Sequence, residues 1–470
     1  MMNPTEEIET DVVVIGAGLT GLTTAYYLHK NDCKFIVLER QNRVGGVIQS
    51  RNENGFLYEE GPNTGVTGNA TVVELFDDLT GECKPEAASE YATKRFILKN
   101  SRWEHLPRGL MEAINTPLFS LKDKFRILAE PFRPAGKNPH ENLAAFVKRR
   151  LGNSYLNYAI DPFIIGVYAG DPNYLIPKYA LPKLYDLEQK YGSLIGGSIK
   201  KGLENKPANE KKVTKKVFSF TGGLGSLTHA LYESSGIENF RFGSEEVTVE
   251  TSGEGFTVRY LNQNGEICII KTKKVISTIG AYSLESTLPF IEPEEMKKLN
   301  SLLYTKVIEV SLGFNHWQGI DLDGFGGLIP SLENRNLLGI LYMSSLFKNR
   351  APEGGALLSI FMGGVRRQEL MHLSDSEIGN LVEKECKELL KLKDFKPELF
   401  KIMRHNWAIP QYGVESGERF ATIKQLEKQY QGLQIGGNLR NGIGMADRIR
   451  QGKELAIRAI QIKRNDLSSE

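Results

Sequence analysis

The constraint that narrows this chain most is Gly16-Ala17-Gly18-Leu19-Thr20-Gly21, which directly follows the β-branched run 11–15 and opens the helix-forming stretch 19–30. A GxGxxG pattern set between a strand and a helix has a mechanical purpose. Gly16 makes the turn, Gly18 leaves the backbone bare for a pyrophosphate, and Gly21 lets the helix pack close on the strand, with the phosphates resting on the helix N-terminus. Ala17, between the first two glycines, belongs to the same contact. Residues 34–39 read as a second buried strand, completing a βαβ unit whose crossover should be right-handed. Glu39 ends that strand where an acid accepts hydrogen bonds from an adenosine ribose and disfavours a 2′-phosphate. A purely structural glycine turn is the alternative, and strand, helix and acid together weigh against it.

Composition serves mainly to exclude. A length of 470 residues calls for two or three packed units. With 59 Lys+Arg against 57 Asp+Glu, there is no basic excess of the kind nucleic-acid binders carry, so no nucleic-acid partner is expected. Cys33, Cys83, Cys268 and Cys386 stand far apart without a CxxC or a nearby histidine, so neither a metal site nor a disulfide framework is expected. Residues 1–10 are acidic and polar and do not read as a secretory signal. No stretch approaches the ~20 apolar residues of a membrane span, so any membrane contact must be peripheral, at the inner face of the cytoplasmic membrane of a cytoplasmic protein.

Beyond the βαβ unit the character changes. Residues 91–212 carry ten prolines with apolar residues recurring at spacings of three and four, which predicts a mostly helical insertion. The basic stretch 211–216 closes it as solvated surface. Residues 248–260 and 267–276 predict a meander turning at Gly253, Gly255 and Gly265. Further strands are expected over 306–361, a helix over 374–392 with Asp375 and Glu377 in its first turn, and a last helix over 445–462.

Glu39 continues into Arg40-Gln41-Asn42-Arg43-Val44-Gly45-Gly46, placing cations and bare amides beside the pyrophosphate. Nicotinamide-binding domains usually lack this, and here the chain resembles the amine-oxidase-like flavoproteins, in which ExxxRxGG is an FAD signature. Near the other end, a short apolar strand runs into Gly436-Gly437-Asn438, and Gly444-Met445-Ala446 opens the final helix. A helix start there presents free amides and partial positive charge to the anion of a reduced flavin.

Five further stretches narrow the resemblance: Glu59-Glu60-Gly61-Pro62-Asn63, Gly166-Val167-Tyr168-Ala169-Gly170-Asp171-Pro172, Gly222-Gly223-Leu224-Gly225-Ser226-Leu227, Ala408-Ile409-Pro410-Gln411-Tyr412 and Gly436-Gly437-Asn438. Together they resemble the oxygen-dependent protoporphyrinogen oxidase family, whose close relatives oxidise coproporphyrinogen III. The resemblance implies an α/β plus α+β architecture. A discontinuous Rossmann-like FAD-binding domain (8–90, 213–290 and 424–465) carries a mixed-sheet substrate domain (291–423) and a helical insertion (91–212) facing membrane and substrate. It also implies a homodimer, and it adds Gly61, Pro62, Asn63, Val247, Trp407, Gly437 and Asn438 to the FAD contacts.

The activity so implied is oxidation of protoporphyrinogen IX to protoporphyrin IX in haem biosynthesis, with O2 as acceptor and three H2O2 released. Coproporphyrinogen III, with four propionates rather than two, is the nearest alternative and asks for more cations. A flavin amine oxidase using Trp407 and Tyr412 as its aromatic pair is more distant, and a non-catalytic flavin-binding partner more distant still. The resemblance assigns Arg95 to a substrate propionate, Phe361 to an apolar wall beside the macrocycle and Gly170 to a close backbone approach. By themselves these residues read as a surface charge, a core aromatic and a turn. No catalytic acid or base stands out, which suits a reaction in which a hydride leaves a bridging methylene and the adjacent pyrroles stabilise the cation. Leu110, Met111, Ile114, Leu118, Leu121, Phe125 and Leu128 form one helical stripe beside Lys122, Lys124 and Arg126. Core packing and an interfacial membrane patch both fit it.

Overall fold

The computed structural model describes residues 6–79, 81–204, 214–253 and 255–467; Lys211 and Lys212 of the basic stretch, and the side chain of Leu110, lie outside that description. In the first part of the chain the elements that position the site are β1 (Glu6–Ile15), α1 (Leu19–His29), β2 (Phe35–Glu39), β3 (Phe96–Lys99), β4 (Arg102–His105), α2 (Leu110–Asn115), α3 (Leu121–Leu128) and α4 (Asp161–Tyr168). Then come β5 (Phe240–Phe242), β6 (Glu245–Ser252), β7 (Gly255–Leu261), β8 (Ile267–Ser277), β9 (Val307–Phe314), β10 (Gly326–Leu328) and β11 (Leu337–Tyr342). The last are β12 (Ala356–Gly363), α5 (Asp375–Leu389), β13 (Leu399–His405), β14 (Leu433–Ile435) and α6 (Met445–Leu467).

Two sheets organise these elements. The first runs β5-β2-β1-β8-β7-β6, with β1 parallel to both β2 and β8, and β14 joining β8 in parallel through Val275↔Leu433. Val12, Val13 and Val14 are fully buried, as expected of a strand covered on both faces. The pairing of β14 with β8 places the C-terminal strand next but one to β1, and α6 lies against α1, where the Thr24 hydroxyl donates to Gly452 O at 3.2 Å. The two ends of the chain therefore build one domain.

The second sheet runs β13-β9-β12-β11-β10-β3-β4. Alternation sorts its side chains to two faces. Ile308, Val310, Leu312, Leu358, Ile360 and Met362 bury against Ile378, Val382 and Cys386 of α5. That helix is begun by a reciprocal cap between Ser374 and Glu377. The opposite face looks toward α4 and the first domain. Residues 96–105 lie in the stretch expected to be mostly helical, yet they form the β3–β4 hairpin and extend this sheet. Asn100 and Ser101 both take positive φ (52° and 59°), the conformation that a two-residue turn between right-twisted strands favours. Propensity for that turn outweighed the surrounding helical spacing.

The apolar stripe divides. Leu118 is fully buried and clusters with Ile97 and Phe119, whereas Met111, Ile114, Leu121, Phe125 and Leu128 on α2 and α3 are exposed, Met111 at 72%. Core packing therefore accounts for Leu118 and not for those five. Among the described residues no helix is long and apolar enough to cross a membrane.

Candidate active site

The three fingerprint glycines stand in three different environments. Gly16 has φ +98°, a region side chains avoid, and its N–H donates to Leu38 O at 2.8 Å. A methyl group on Gly21 would overlap the carbonyl oxygen of Gly16, so the helix can sit this close only on a glycine. Gly18 has nothing within 4 Å of the place where a side chain would start, leaving its backbone open to a ligand. The second glycine motif meets the first: Gly45 N–H donates to Ala17 O at 2.9 Å, and Gly18 and Gly45 pair as an isolated parallel bridge. Gly46 lies over Gly18, its would-be Cβ 3.3 Å from Gly18 Cα. Glu39 is held at the end of β2 by the N–H groups of Ala17 and Gln41, at 2.7 and 2.9 Å. Each carboxylate oxygen keeps a further lone pair. Arg43 donates to Val44 O at 3.1 Å, and burial lowers its pKa against the opposing pull of Glu39 and Glu60; Arg40 is exposed.

The C-terminal loop is organised by a residue that no motif flagged. Arg448, only 8% exposed, donates to the carbonyls of Gly437, Arg440 and Gly442 and to Gln451 Oε1. Gln451 Oε1 in turn accepts from Gly437 N–H at 2.8 Å. Gly437 takes φ +81°, which brings the loop against Thr278 O. Tyr304 donates to Asn438 Oδ1 at 2.9 Å, and Tyr412 donates to Asn438 O and Gly442 O at 2.8 and 3.0 Å. With the carbonyls turned onto Arg448 and the tyrosines, the first turn of α6 at Met445 and Ala446 supplies donors that the helix itself cannot satisfy. Asn69 Nδ2 ties Ala446 O to the first part of the chain at 2.9 Å. The only local hint of Arg448 was an arginine one turn into a helix after a glycine-rich loop.

Trp407 stacks on Tyr282, with centroids 4.7 Å apart and planes at 20°, and meets Tyr304 edge-on. Tyr412 is fully buried and spent on loop carbonyls, so it does not pair with Trp407 as an amine oxidase reading requires. Val247 packs partly buried on the first core beside an irregularity between Glu245 and Thr248, where Glu246 has φ +48°. Gly61 and Pro62 are half-buried, and Asn63, next in the chain, bridges the two domains. Its amide donates to Gly61 O at 3.0 Å and to Glu309 Oε1 at 2.6 Å, and its oxygen accepts from Ser359 Oγ at 2.6 Å.

The substrate-face candidates come together through sheet register. Glu309, Phe361, Gly339, Leu328 and Ile97 are successive partners across β9, β12, β11, β10 and β3, so they share one face. Phe361 is the one half-buried residue of an otherwise buried β12. Above this face α4 buries Ile164, Ile165 and Tyr168 and exposes Phe163, Gly166 and Val167 at helical spacing; a methyl on Gly166 would fall 2.5 Å from Leu328 Cδ2. An exposed apolar helical stripe beside this sheet face is a candidate binding surface. Arg95, just before β3, is exposed, and desolvation alone lowers its pKa. Its guanidinium carbon stands 5.1 Å over the Phe325 ring, with no carboxylate partner among the described residues, whereas its neighbour Lys94 is paired with Asp323 at 2.7 Å. Gly170 is buried, and a methyl there would overlap Gln411 Oε1; Gln411 Nε2 donates to Tyr168 O at 2.9 Å. In this structure its missing side chain makes room for the Gln411 amide at the end of α4.

The family profile described as flavin containing amine oxidoreductase matches residues 19–458. The chain belongs to this family. Among curated relatives, protoporphyrinogen oxidase 1 of Arabidopsis thaliana chloroplasts is 31% identical over 96% of this chain and 88% of its own length. Coproporphyrinogen III oxidase of Bacillus subtilis is 27% identical over 94% and 96%. A crystal structure from Exiguobacterium sp. 255-15 superposes with a TM-score of 0.78 at 22% identity, covering 98% of this chain and all of the other, and so shares its fold.

The protein is thus a flavin-dependent oxidoreductase, and its ribose acid on a dinucleotide βαβ unit makes the flavin FAD. The residues present fit that group: Gly18 is open for the pyrophosphate, Glu39 stands at the ribose position, and the Arg448-gathered loop and α6 start would receive the flavin end. Two buried carboxylates join this flavoenzyme's inventory. Glu59 accepts from Ser50 Oγ at 2.5 Å and Leu224 N–H at 2.9 Å, and burial pushes its pKa up to about 7. Glu309, 1% exposed, is likewise raised by burial. Sequence reasoning missed Glu309 because a lone acid in a β-branched strand resembles any solvent-facing residue until register places it.

Proposed function

We propose that this flavoenzyme oxidises a porphyrinogen to a porphyrin in haem biosynthesis, with protoporphyrinogen IX as substrate, protoporphyrin IX as product and O2 as acceptor, releasing three H2O2. The observation that carries the reading is an apolar surface with a cation near it: Phe361 half-buried, Phe163 and Val167 exposed on α4 above Leu328, and Arg95 at the start of β3 without a carboxylate partner among the described residues. Phe361 and α4 receive a broad apolar ring and exclude water. Arg95 fixes its orientation through a propionate, a charge-assisted and bidentate contact. A bound flavin would supply the hydride acceptor for this oxidation. The names of the relatives agree with this chemistry.

Coproporphyrinogen III is the second reading, favoured by the Bacillus subtilis relative. Its extra propionates need extra cations, and the arginine beside α4, Arg366, is already committed to Asp161 and Asp171 at 3.1 and 2.9 Å. Feeding each porphyrinogen to the purified holoenzyme and following product fluorescence decides between them. Protoporphyrinogen IX is expected to have a kcat/KM at least roughly tenfold higher, the worth of about one charge-assisted contact. Equal or reversed values transfer the assignment to coproporphyrinogen III. A homodimer in the cytoplasm and a peripheral seat on the membrane belong to the same proposal. The exposed Met111, Ile114, Leu121, Phe125 and Leu128 support the latter. Lys124 is spent capping α2 through Ile114 O, so Lys122 is the freer cation of that surface. Flotation with vesicles and sedimentation analysis test the two.

A further inference from the structure

Glu309 and His405 form a pair that the oxidation as described above does not use. Glu309 lies directly across from Phe361 in the β9–β12 register, on the face that borders the candidate binding surface. Its Oε1 accepts from Asn63, which hangs from the cofactor domain's Gly61-Pro62 loop. Its Oε2 faces His405 Nε2 at 3.8 Å, about an ångström beyond a hydrogen bond, and that ring nitrogen is buried with no other partner. His405 belongs to β13, the edge strand of the sheet, and 23% of its side chain is exposed. One end of the pair is therefore buried beside the substrate row and the other opens to solvent.

The unpartnered ring nitrogen and the carboxylate oxygen facing it across a short gap are served by a single proton, carried either as a carboxylic acid donating to the ring or as an imidazolium donating to the carboxylate. Burial favours Glu309 keeping a proton, against the hydrogen bonds and charge that His405 and Asn63 offer its carboxylate. Glu60, on the loop that carries Asn63, is a negative neighbour that adds to the effect of burial, and Glu59 beside it is itself a buried acid with a raised pKa; β12 contributes only the uncharged Ser359 and Phe361; β13 contributes His405.

We propose that Glu309 and His405 hold one proton between them and form the outlet by which protons leave the substrate face for solvent. The inference rests on porphyrinogen oxidation as the reaction. Each two-electron step removes from the macrocycle one hydride, which goes to the flavin, and one proton, which a water-excluding apolar cleft cannot simply release. That proton is taken up at Glu309, the shared proton moves fully onto His405 Nε2, the resulting imidazolium releases its Nδ1 proton to bulk water, and the ring turns over to restore the starting tautomer. No electrons move along this route, and the pair ends as it began. Both side chains are positioning and relay residues behind the cleft wall.

The holoenzyme variants Glu309→Gln and His405→Ala test it, with flavin content and visible spectrum confirming that each variant is loaded. E309Q is expected to lower kcat on the preferred porphyrinogen roughly 100-fold with KM little changed, the usual worth of one acid–base group. It should also alter the solvent deuterium isotope effect on flavin reduction. H405A is expected to lose roughly tenfold and to recover part of it with added imidazole, because the vacated position opens to solvent. Loaded E309Q with wild-type kcat and isotope effect overturns the proposal. So does an H405A loss that imidazole leaves untouched, and this second variant decides the matter should E309Q fail to fold. An inert wild-type holoenzyme brings down the proposed function and the outlet together, whereas an active wild type with indifferent variants brings down the outlet alone.

Discussion

The cofactor cradle and the proposed substrate face are built by opposite means. The cradle is mostly backbone: Gly16, Gly18 and Gly21 meet Gly45 and Gly46 through main-chain contacts, and the Gly437 loop turns its carbonyls onto the Arg448 guanidinium. Its residues lie within a few positions of one another in each segment, so their spacing carries the geometry. The substrate face is side chains delivered by register from β3, β10, β11, β12 and α4, and its members have no common motif. A ligand with an invariant pyrophosphate can be held by backbone, whereas one recognised by shape and a single charge needs side chains that only the folded sheet assembles.

The largest effect should come from breaking the cradle where it is most crowded. Gly21→Val puts a branched side chain into the Gly16 carbonyl and is expected to cost on the order of 4 kcal/mol, seen as loss of soluble yellow protein. Gly18→Val, in open space, should instead leave the fold intact by circular dichroism and remove the flavin. If both variants behave alike, the division of labour between the two glycines is wrong.

Glu59 sits in the wall of the cofactor domain and tests the buried electrostatics of that side. Its carboxyl is raised from 4.5 to about 7 in the folded protein, so its contribution to stability is full below pH 4.5 and is lost as pH rises to about 7. Glu59→Gln mimics the protonated form. Relative to wild type it should gain stability through that window, reaching about 3 kcal/mol above pH 7 in urea unfolding. A difference that does not vary with pH contradicts the assignment.

On the substrate face, Arg95→Ala should raise KM by roughly 30-fold, about 2 kcal/mol, and leave the flavin spectrum unchanged. Arg95→Lys should recover only part of this, since the fork geometry is lost. Unaltered kinetics would remove Arg95 from the site. The smallest effect belongs to the outer stripe: Phe125→Ser should move stability by no more than about 0.5 kcal/mol while reducing vesicle flotation, against ~2–5 kcal/mol for Leu118→Ala in the core beside it.

These contrasts follow what could be read before folding. The βαβ unit, the glycine motifs, the meander and the capped helix at Ser374 were legible because each depends on neighbours in sequence. The hairpin at 96–105 was not, since its turn was hidden among helix-spaced apolar residues and its strands are stabilised by β10, more than 200 positions away. Arg448 and Glu309 were invisible for a related reason. One acts on carbonyls up to a turn and a loop away, and the other acquires its partners Asn63 and His405 only when three segments meet. Phe361 was singled out by resemblance, and in the folded chain it is the half-buried residue of an otherwise buried strand.

The central claim is that chain ends joined around a flavin deliver electrons from a porphyrinogen in the cleft beside it. Anaerobic mixing of the purified yellow protein with excess protoporphyrinogen IX, while recording visible absorbance, tests this most directly. The flavin bands should bleach within a turnover as porphyrin fluorescence appears, and return when oxygen is admitted. A colourless protein, or yellow bands that persist in the presence of the porphyrinogen, would contradict the account.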